Sequence, residues 1–280
     1  MWTRRRILRT TASTALAAAS ASLMAEGWAE EKKPEAKAEP RKGKSKVGIM
    51  VPAYFDPNVG GGVQYWDRMI DAAASVPIIA IANPASGPGK KADPAYTPVL
   101  ERARKAGLQV IGYVSTSYTK RPRAEILADI GRWVEFYPKI SGFFFDEQTS
   151  DPAHVGDYVA YREGARKLLK DARIVTNPGV ACDEGYLTKK AADIICIFEH
   201  HSGFDDFHAP AWTKKHPAHS FYILPYATRD ETAMRQRLQK TVAEGIGWVY
   251  ITDDTGNNPW DRLPTYWEAE VEAVRAVNEG

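Results

Sequence analysis

Cysteine is scarce in this sequence: 280 residues carry two, Cys182 and Cys196. Two thiols cannot build the disulfide framework that staples small exported domains, so the fold has to rest on an apolar core. One bridge between them is possible in an oxidising compartment, but Cys196 lies inside an apolar run and is expected to pack as a small hydrophobe. Beyond the extreme N-terminus, no apolar stretch reaches the roughly 18 residues of a membrane-spanning helix, so no stable membrane insertion is expected. A dominant charge sign is missing too: 37 Lys and Arg stand against 35 Asp and Glu. That balance, with no basic stripe, argues against a nucleic-acid partner.

The N-terminal segment has the layout of an address. Met1–Arg9 is basic, Thr10–Met24 is a soft apolar stretch, and Gly27-Trp28-Ala29 resembles a small-x-small cleavage site. Residues 1–29 are therefore expected to be an export signal. Thr3–Arg9 resembles the twin-arginine signal of bacteria, which places the protein in the periplasm or outside the cell. Residues 30–46 mix Lys, Glu, Ala and Pro without one large apolar side chain, and read as a disordered tether. Residues 47–280 suffice for one large core, expected to stand as a monomer.

In that remainder, short β-branched or aromatic runs alternate with stretches of helical period, the pattern of parallel strands joined by crossover helices. Strands are expected at Val47–Tyr54, Pro77–Ala82, Gln109–Ser115, Ile140–Asp146, Arg173–Asn177, Ile194–Glu199, Ser220–Pro225 and Gly247–Asp253. Helices are expected at Tyr65–Ser75, Tyr96–Lys105, Arg123–Tyr137, Val155–Lys170, Thr232–Glu244 and Thr265–Asn278, with weaker ones after the fifth and sixth strands. Gly107 reads as a helix stop, and Pro264 as the first-turn proline of the last helix. Eight such units predict a single (β/α)8 barrel, an α/β fold. The rival is an open doubly wound sheet. It would place a glycine-rich phosphate turn after its first strand, where this chain has Pro52-Ala53-Tyr54-Phe55-Asp56-Pro57.

In such a barrel the working side chains stand at the C-terminal ends of the strands. The sharpest feature there is Gly142-Phe143-Phe144-Phe145-Asp146-Glu147, an apolar run that stops at two carboxylates. Ile194-Ile195-Cys196-Ile197-Phe198-Glu199 likewise stops at one. These runs are the fourth and sixth expected strands, so an acid from each can approach the other across the barrel mouth. A carboxyl pair about 5 Å apart suits retaining glycoside hydrolysis, and a gap of about 6.5–9.5 Å suits inversion. Asp146 is the expected nucleophile, Glu199 the general acid/base, and Glu147 a neighbour that tunes them. Asp146 and Glu147 adjoin, however, so a regular strand aims only one of them fully inward. Tyr54, Asn83, Tyr113, Tyr118, Asn177, His200, Tyr226 and Asp253 are the candidate substrate-binding residues. Any one of them could equally pack, close a turn or pair with a basic residue.

No cofactor and no metal is expected. A metal-dependent hydrolase is the runner-up, since Glu199-His200-His201 with Asp146 and Asp253 holds suitable donor types. Barrel metallohydrolases usually carry a His-x-His pair after the first strand, where this chain has Tyr54 and Phe55. A non-catalytic sugar-binding barrel is the third reading, and no strand end carries a lysine for Schiff-base chemistry.

Several runs together resemble a known family. Val51-Pro52-Ala53-Tyr54, Ile81-Ala82-Asn83-Pro84 with Gly87-Pro88-Gly89, Gly112-Tyr113-Val114, Phe144-Phe145-Asp146-Glu147, Thr176-Asn177-Pro178-Gly179, Phe198-Glu199 and Tyr250-Ile251-Thr252 resemble the spherulin 4 group, glycoside hydrolase family 135. The resemblance implies a (β/α)8 enzyme that cuts α-1,4-linked galactosamine or N-acetylgalactosamine polymers, with its essential acids at Asp146, Glu147 and Glu199. If the amino groups are free the polymer is cationic. A rim bearing Asp56, Asp146, Glu147, Glu199, Asp205, Asp206, Asp230 and Asp253 is expected to attract it.

Overall fold

The computed structural model of the protein describes residues 46–280. The expected leader and all but the last residue of the expected tether lie outside the described residues. Within them the chain alternates strand and helix. The strands are β1 (Gly48–Ala53), β2 (Ile78–Ala82), β3 (Gln109–Ser115), β4 (Gly142–Asp146), β5 (Arg173–Thr176), β6 (Ile194–His200), β7 (Phe221–Pro225) and β8 (Trp248–Val249). The α-helices are α1 (Gly62–Ala72), α2 (Tyr96–Lys105), α3 (Arg123–Phe136), α4 (Val155–Leu168), α5 (Gly185–Thr188), α6 (Glu231–Ala243) and α7 (Trp267–Glu279).

All strands run parallel in sequence order, and β8 pairs back onto β1 to close the barrel. Strands buried on both faces must be apolar along their whole length, and β1, β2 and β7 are buried at every position. Register shows which side chains fill the lumen. Phe145 packs edge-on against Tyr161 of α4, whereas Phe144 packs against Tyr113 of β3. Alternation along β4 therefore turns Phe144 and Asp146 inward and Phe143 and Phe145 toward the helices. Tyr222 of β7 donates its hydroxyl to the carbonyl of Met50 on β1, reaching past β8 across the interior.

Local chemistry sets most element ends. Gly107 follows α2 with φ +83°, the left-handed stop expected of it. Asp230 caps α6 by accepting from the Ala233 N–H at 2.8 Å. Pro264 departs from expectation: α7 starts at Trp267, and Pro264 lies in the turn before it, its carbonyl accepting from the Trp267 N–H at 3.1 Å. The eighth strand is also shorter than expected. Its ladder to β1 stops because the Ile251 N–H donates instead to Oε1 of Glu270, a fully buried α7 carboxyl, at 2.9 Å. The segment after β5 forms one helical turn, α5, and the segment after β6 forms 3-10 turns at Ala211–Lys215 and Ala218–Ser220. Cys182 and Cys196 are both free and buried. No helix among the described residues is long and apolar enough to cross a membrane.

Candidate active site

Asp146 ends β4 facing the barrel mouth, and Asn177 follows β5 beside it. The Asn177 N–H bonds to the carbonyl of Phe145, and its own carbonyl accepts from the Gln148 N–H, both at 2.9 Å. Its side-chain oxygen accepts from the Gly179 N–H at 2.9 Å, which fixes the amide orientation and turns Nδ2 toward the acids. That nitrogen donates to Asp146 at 2.9 Å and to Glu199 at 2.6 Å. Laid end to end, the two bonds bound the separation of these two oxygens at about 5.5 Å. Gly179 has φ +70°, a conformation that costs glycine nothing, and its carbonyl accepts from the Glu199 N–H at 2.9 Å. The turn between β5 and β6 thus ties both acids to one piece of backbone.

Glu199 reaches this position through a β-bulge. Cys196 pairs with Tyr222, but the next partners are Phe198 and Ile223, so Ile197 is an extra residue against β7. Tyr222 points into the lumen, and so therefore does Cys196. Strict alternation would then send Glu199 outward, and the bulge restores it to the inner face.

Glu147 is turned by a different device. It sits at φ +54°, in the left-handed region that a non-glycine residue adopts at a cost of about 1–3 kcal/mol. The residue is pinned from the β3 side: Thr116 Oγ1 donates to its carbonyl at 2.9 Å, as does the Tyr118 N–H at 2.8 Å. Its carboxylate accepts from the Ser115 hydroxyl, and from the Ser117 hydroxyl at 3.3 Å. Ser117, Tyr118 and Thr119 are themselves left-handed in succession, and this turn carries Tyr118 over the acids with half of its surface exposed.

Burial sets the electrostatics. It raises Glu199 to about 7, assisted by the nearby Asp146 charge and opposed by the Asn177 hydrogen bond. Burial also raises Asp146, but three hydrogen bonds hold it back, from Tyr113, the Glu147 N–H and Asn177. The two carboxyls differ in support: Asp146 accepts three hydrogen bonds against its burial where Glu199 accepts one, and Glu199 keeps its proton up to about neutrality. Tyr113 and Tyr54 meet edge-on at 5.7 Å beneath the acids, their hydroxyls pushed up chiefly by burial and then by Asp146.

The structure thus gathers Asp146, Glu147, Glu199, Asn177, Tyr54, Tyr113 and Tyr118 at one mouth. His200 and Tyr226 stand further out on the rim. The His200 ring lies 4.1 Å from that of His201, and Tyr226 meets Trp260 edge-on at 5.6 Å. Two candidates are committed elsewhere. The Asn83 oxygen closes a turn by accepting from the Gly87 N–H at 2.7 Å. Asp253 bonds Arg262 at 2.7 Å and the Thr265 hydroxyl at 2.6 Å, a brace that holds its carboxyl below the usual range against its partial burial. Asp205 and Asp230 also lie against arginines, Arg237 and Arg229, so the rim is less acidic than expected. Ser115, Thr116 and Ser117, which hold Glu147, are not among the sequence candidates; their signal is the Ser-Thr-Ser run that leaves the third strand.

These features define a (β/α)8 barrel with a buried carboxyl pair at its mouth, and comparison with known proteins narrows the class. The profile of Spherulin4, spherulation-specific family 4, matches residues 48–274, and the chain belongs to that family. Spherulin-4 of Physarum polycephalum is 29% identical over 243 residues, covering 83% of this chain and 71% of the relative. Aspergillus clavatus Sph3, solved in complex with GalNAc, superposes with a TM-score of 0.65 at 23% identity, over 82% of this chain and 98% of that one. The Bacillus cereus spore cortex-lytic enzyme SleL shares the barrel at a TM-score of 0.55 and 11% identity, over 84% of this chain and 76% of its own.

Proposed function

We propose that this chain is an exported, endo-acting glycoside hydrolase that cuts α-1,4-linked polymers of galactosamine or N-acetylgalactosamine with retention of configuration. The observation that carries the reading is the Asn177 amide, which donates to Asp146 and Glu199 at once. Glu199, raised to about 7, enters the reaction protonated. Its proton passes to the glycosidic oxygen as an Asp146 oxygen attacks the anomeric carbon; the bond to the leaving sugar breaks and a glycosyl ester forms. Glu199, now a carboxylate, takes a proton from water, whose oxygen displaces Asp146 and frees the sugar. Tyr113 donates to Asp146 and stabilises it as it leaves. Glu147 adds negative charge beside Asp146 as the positive character of the sugar ring develops.

Family membership and the GalNAc bound by Sph3 support an amino-sugar substrate. On this reading the faces of Tyr118, Tyr226 and His200 border a chain crossing the mouth. The basic leader supports export.

The test is digestion of defined galactosamine and N-acetylgalactosamine oligomers, with products sized by mass spectrometry and the first anomer identified by NMR. Internal cleavage with the α-anomer formed first is expected. Failure to cut either series would overturn the substrate, and a β-anomer would overturn retention. Asp146→Asn should lower kcat by about a thousandfold or more while substrate still binds. Undiminished turnover in that variant would refute the assignment of the nucleophile.

A further inference from the structure

At the far end of the barrel, below the N-terminal ends of β5, β6 and β7, lies a cavity of about 640 Å3. Arg162 and Arg166 reach it from α4, Arg173 from the first position of β5, and Lys190 from the turn after α5. Asp171 and Asp193 are the carboxylates in its wall. Four fixed cations thus face two anions, before any histidine is protonated.

Asp193 does not satisfy these donors. Its oxygens already accept from Arg162 at 2.8 Å, from Arg166 at 3.0 and 3.2 Å, and from the Ile174 N–H at 2.8 Å. Nε of Arg162 remains buried without a partner. No acceptor among the described residues bonds the guanidinium of Arg173. Burial depresses its pKa even though Asp193 pulls the other way. That guanidinium lies 6.0 Å from the ring centroid of Trp248 on β8, a strand that does not neighbour β5, so Arg173 extends across the barrel floor. Arg173 and Lys190 therefore present charged donors to the cavity that no acceptor among the described residues bonds, and a ligand rich in acceptors would meet them there.

We propose that this cavity binds the phosphoryl group of a sugar-sized phosphomonoester. Guanidinium forks match the oxygens of a tetrahedral oxyanion two at a time, and a dianion balances the surplus of two positive charges. The volume is that of a small-molecule site, with room for a monosaccharide body beside the phosphate.

The experiment is isothermal titration of the full-length chain at low salt with a hexose 6-phosphate, inorganic phosphate and the neutral hexose. The ester should bind saturably, the inorganic ion at least about tenfold more weakly, and the neutral sugar not at all. Arg173→Gln and Lys190→Gln should each weaken the ester at least about tenfold, and Asp146→Asn at the opposite mouth should leave it unchanged. Lys190 is exposed on a turn, so its variant carries the test alone if Arg173→Gln does not fold. The ester site is overturned by absence of saturable ester binding at millimolar concentration, by affinity that survives Lys190→Gln, or by neutral hexose binding as well as the ester. Equal affinity for inorganic phosphate would overturn the ester and assign the free ion.

Discussion

Replacing Glu199 by Gln should stabilise the barrel at neutral pH while abolishing turnover. In the folded protein this carboxyl titrates at about 7 instead of its ordinary 4.5. Between those values the unfolded chain gives up the proton and the folded chain keeps it, so wild-type stability falls as pH rises through that window and stays lower above it. At about 1.4 kcal/mol per pH unit, less some solvent screening of a partly exposed group, the loss above pH 7 is about 2–3 kcal/mol. The neutral amide avoids that loss and still offers Asn177 an acceptor oxygen. Urea unfolding followed by fluorescence at pH 4, 5.5 and 7.5 measures it. The midpoints of wild type and variant should nearly coincide at pH 4 and separate progressively, with the variant higher at pH 7.5 and the slopes unchanged. A gap that does not grow with pH, or a variant less stable at pH 7.5, would refute the account of burial given for the site.

Asn177→Ala removes the donor common to both acids, and kcat/KM should fall by about a hundredfold. That hydrogen bond also holds Glu199 down, so the alkaline limb of the pH–rate profile should move upward; an unmoved limb would leave Asn177 with only a packing role. Gly179→Ala puts a side chain at φ +70° and should cost about 1 kcal/mol in thermal unfolding, with kcat reduced because the same carbonyl holds the Glu199 backbone. Glu270, wholly buried and raised to about 8, should make wild-type stability decline from about pH 4.5 to 8. Glu270→Gln should gain about 2 kcal/mol at pH 8 and lose about 2 kcal/mol at pH 4 in calorimetry, because the unpaired amide N–H groups cost the same at both while the linkage gain is absent at pH 4.

Much of the barrel and the core of the site are legible in one dimension, because doubly buried strands leave unbroken apolar runs and a carboxylate ending such a run has to face the mouth. Phe143-Phe144-Phe145-Asp146 and Ile194–Glu199 carry that signal. What escapes is whatever depends on a partner strand. The extra residue in β6 exists only relative to β7, so no pattern within Ile194–His200 announces it. The left-handed turn at Glu147 depends on donors from the loop after β3. Asn83 and Asn177 occupy equivalent strand ends yet differ in role, because the oxygen of one closes the Gly87 turn while the amide nitrogen of the other reaches two acids. In the sequence Asp253 reads as free for substrate, because Arg262 lies out in a loop whose return path the periodicity does not encode. The eighth strand ends before its apolar run does for a similar reason: Ile251 has the right residue type, but its N–H is taken by a helix.

The single inserted residue of β6 makes the reactive acid hostage to a count. Shortening that strand by one position above Cys196 would rotate the carboxyl into the helical shell and leave the lower lumen, with its tyrosines and isoleucines, largely as it is. A descendant of this gene could therefore discard its chemistry by one codon and remain a sound container, and alignments that score Glu199 as present without checking its register would miss the loss.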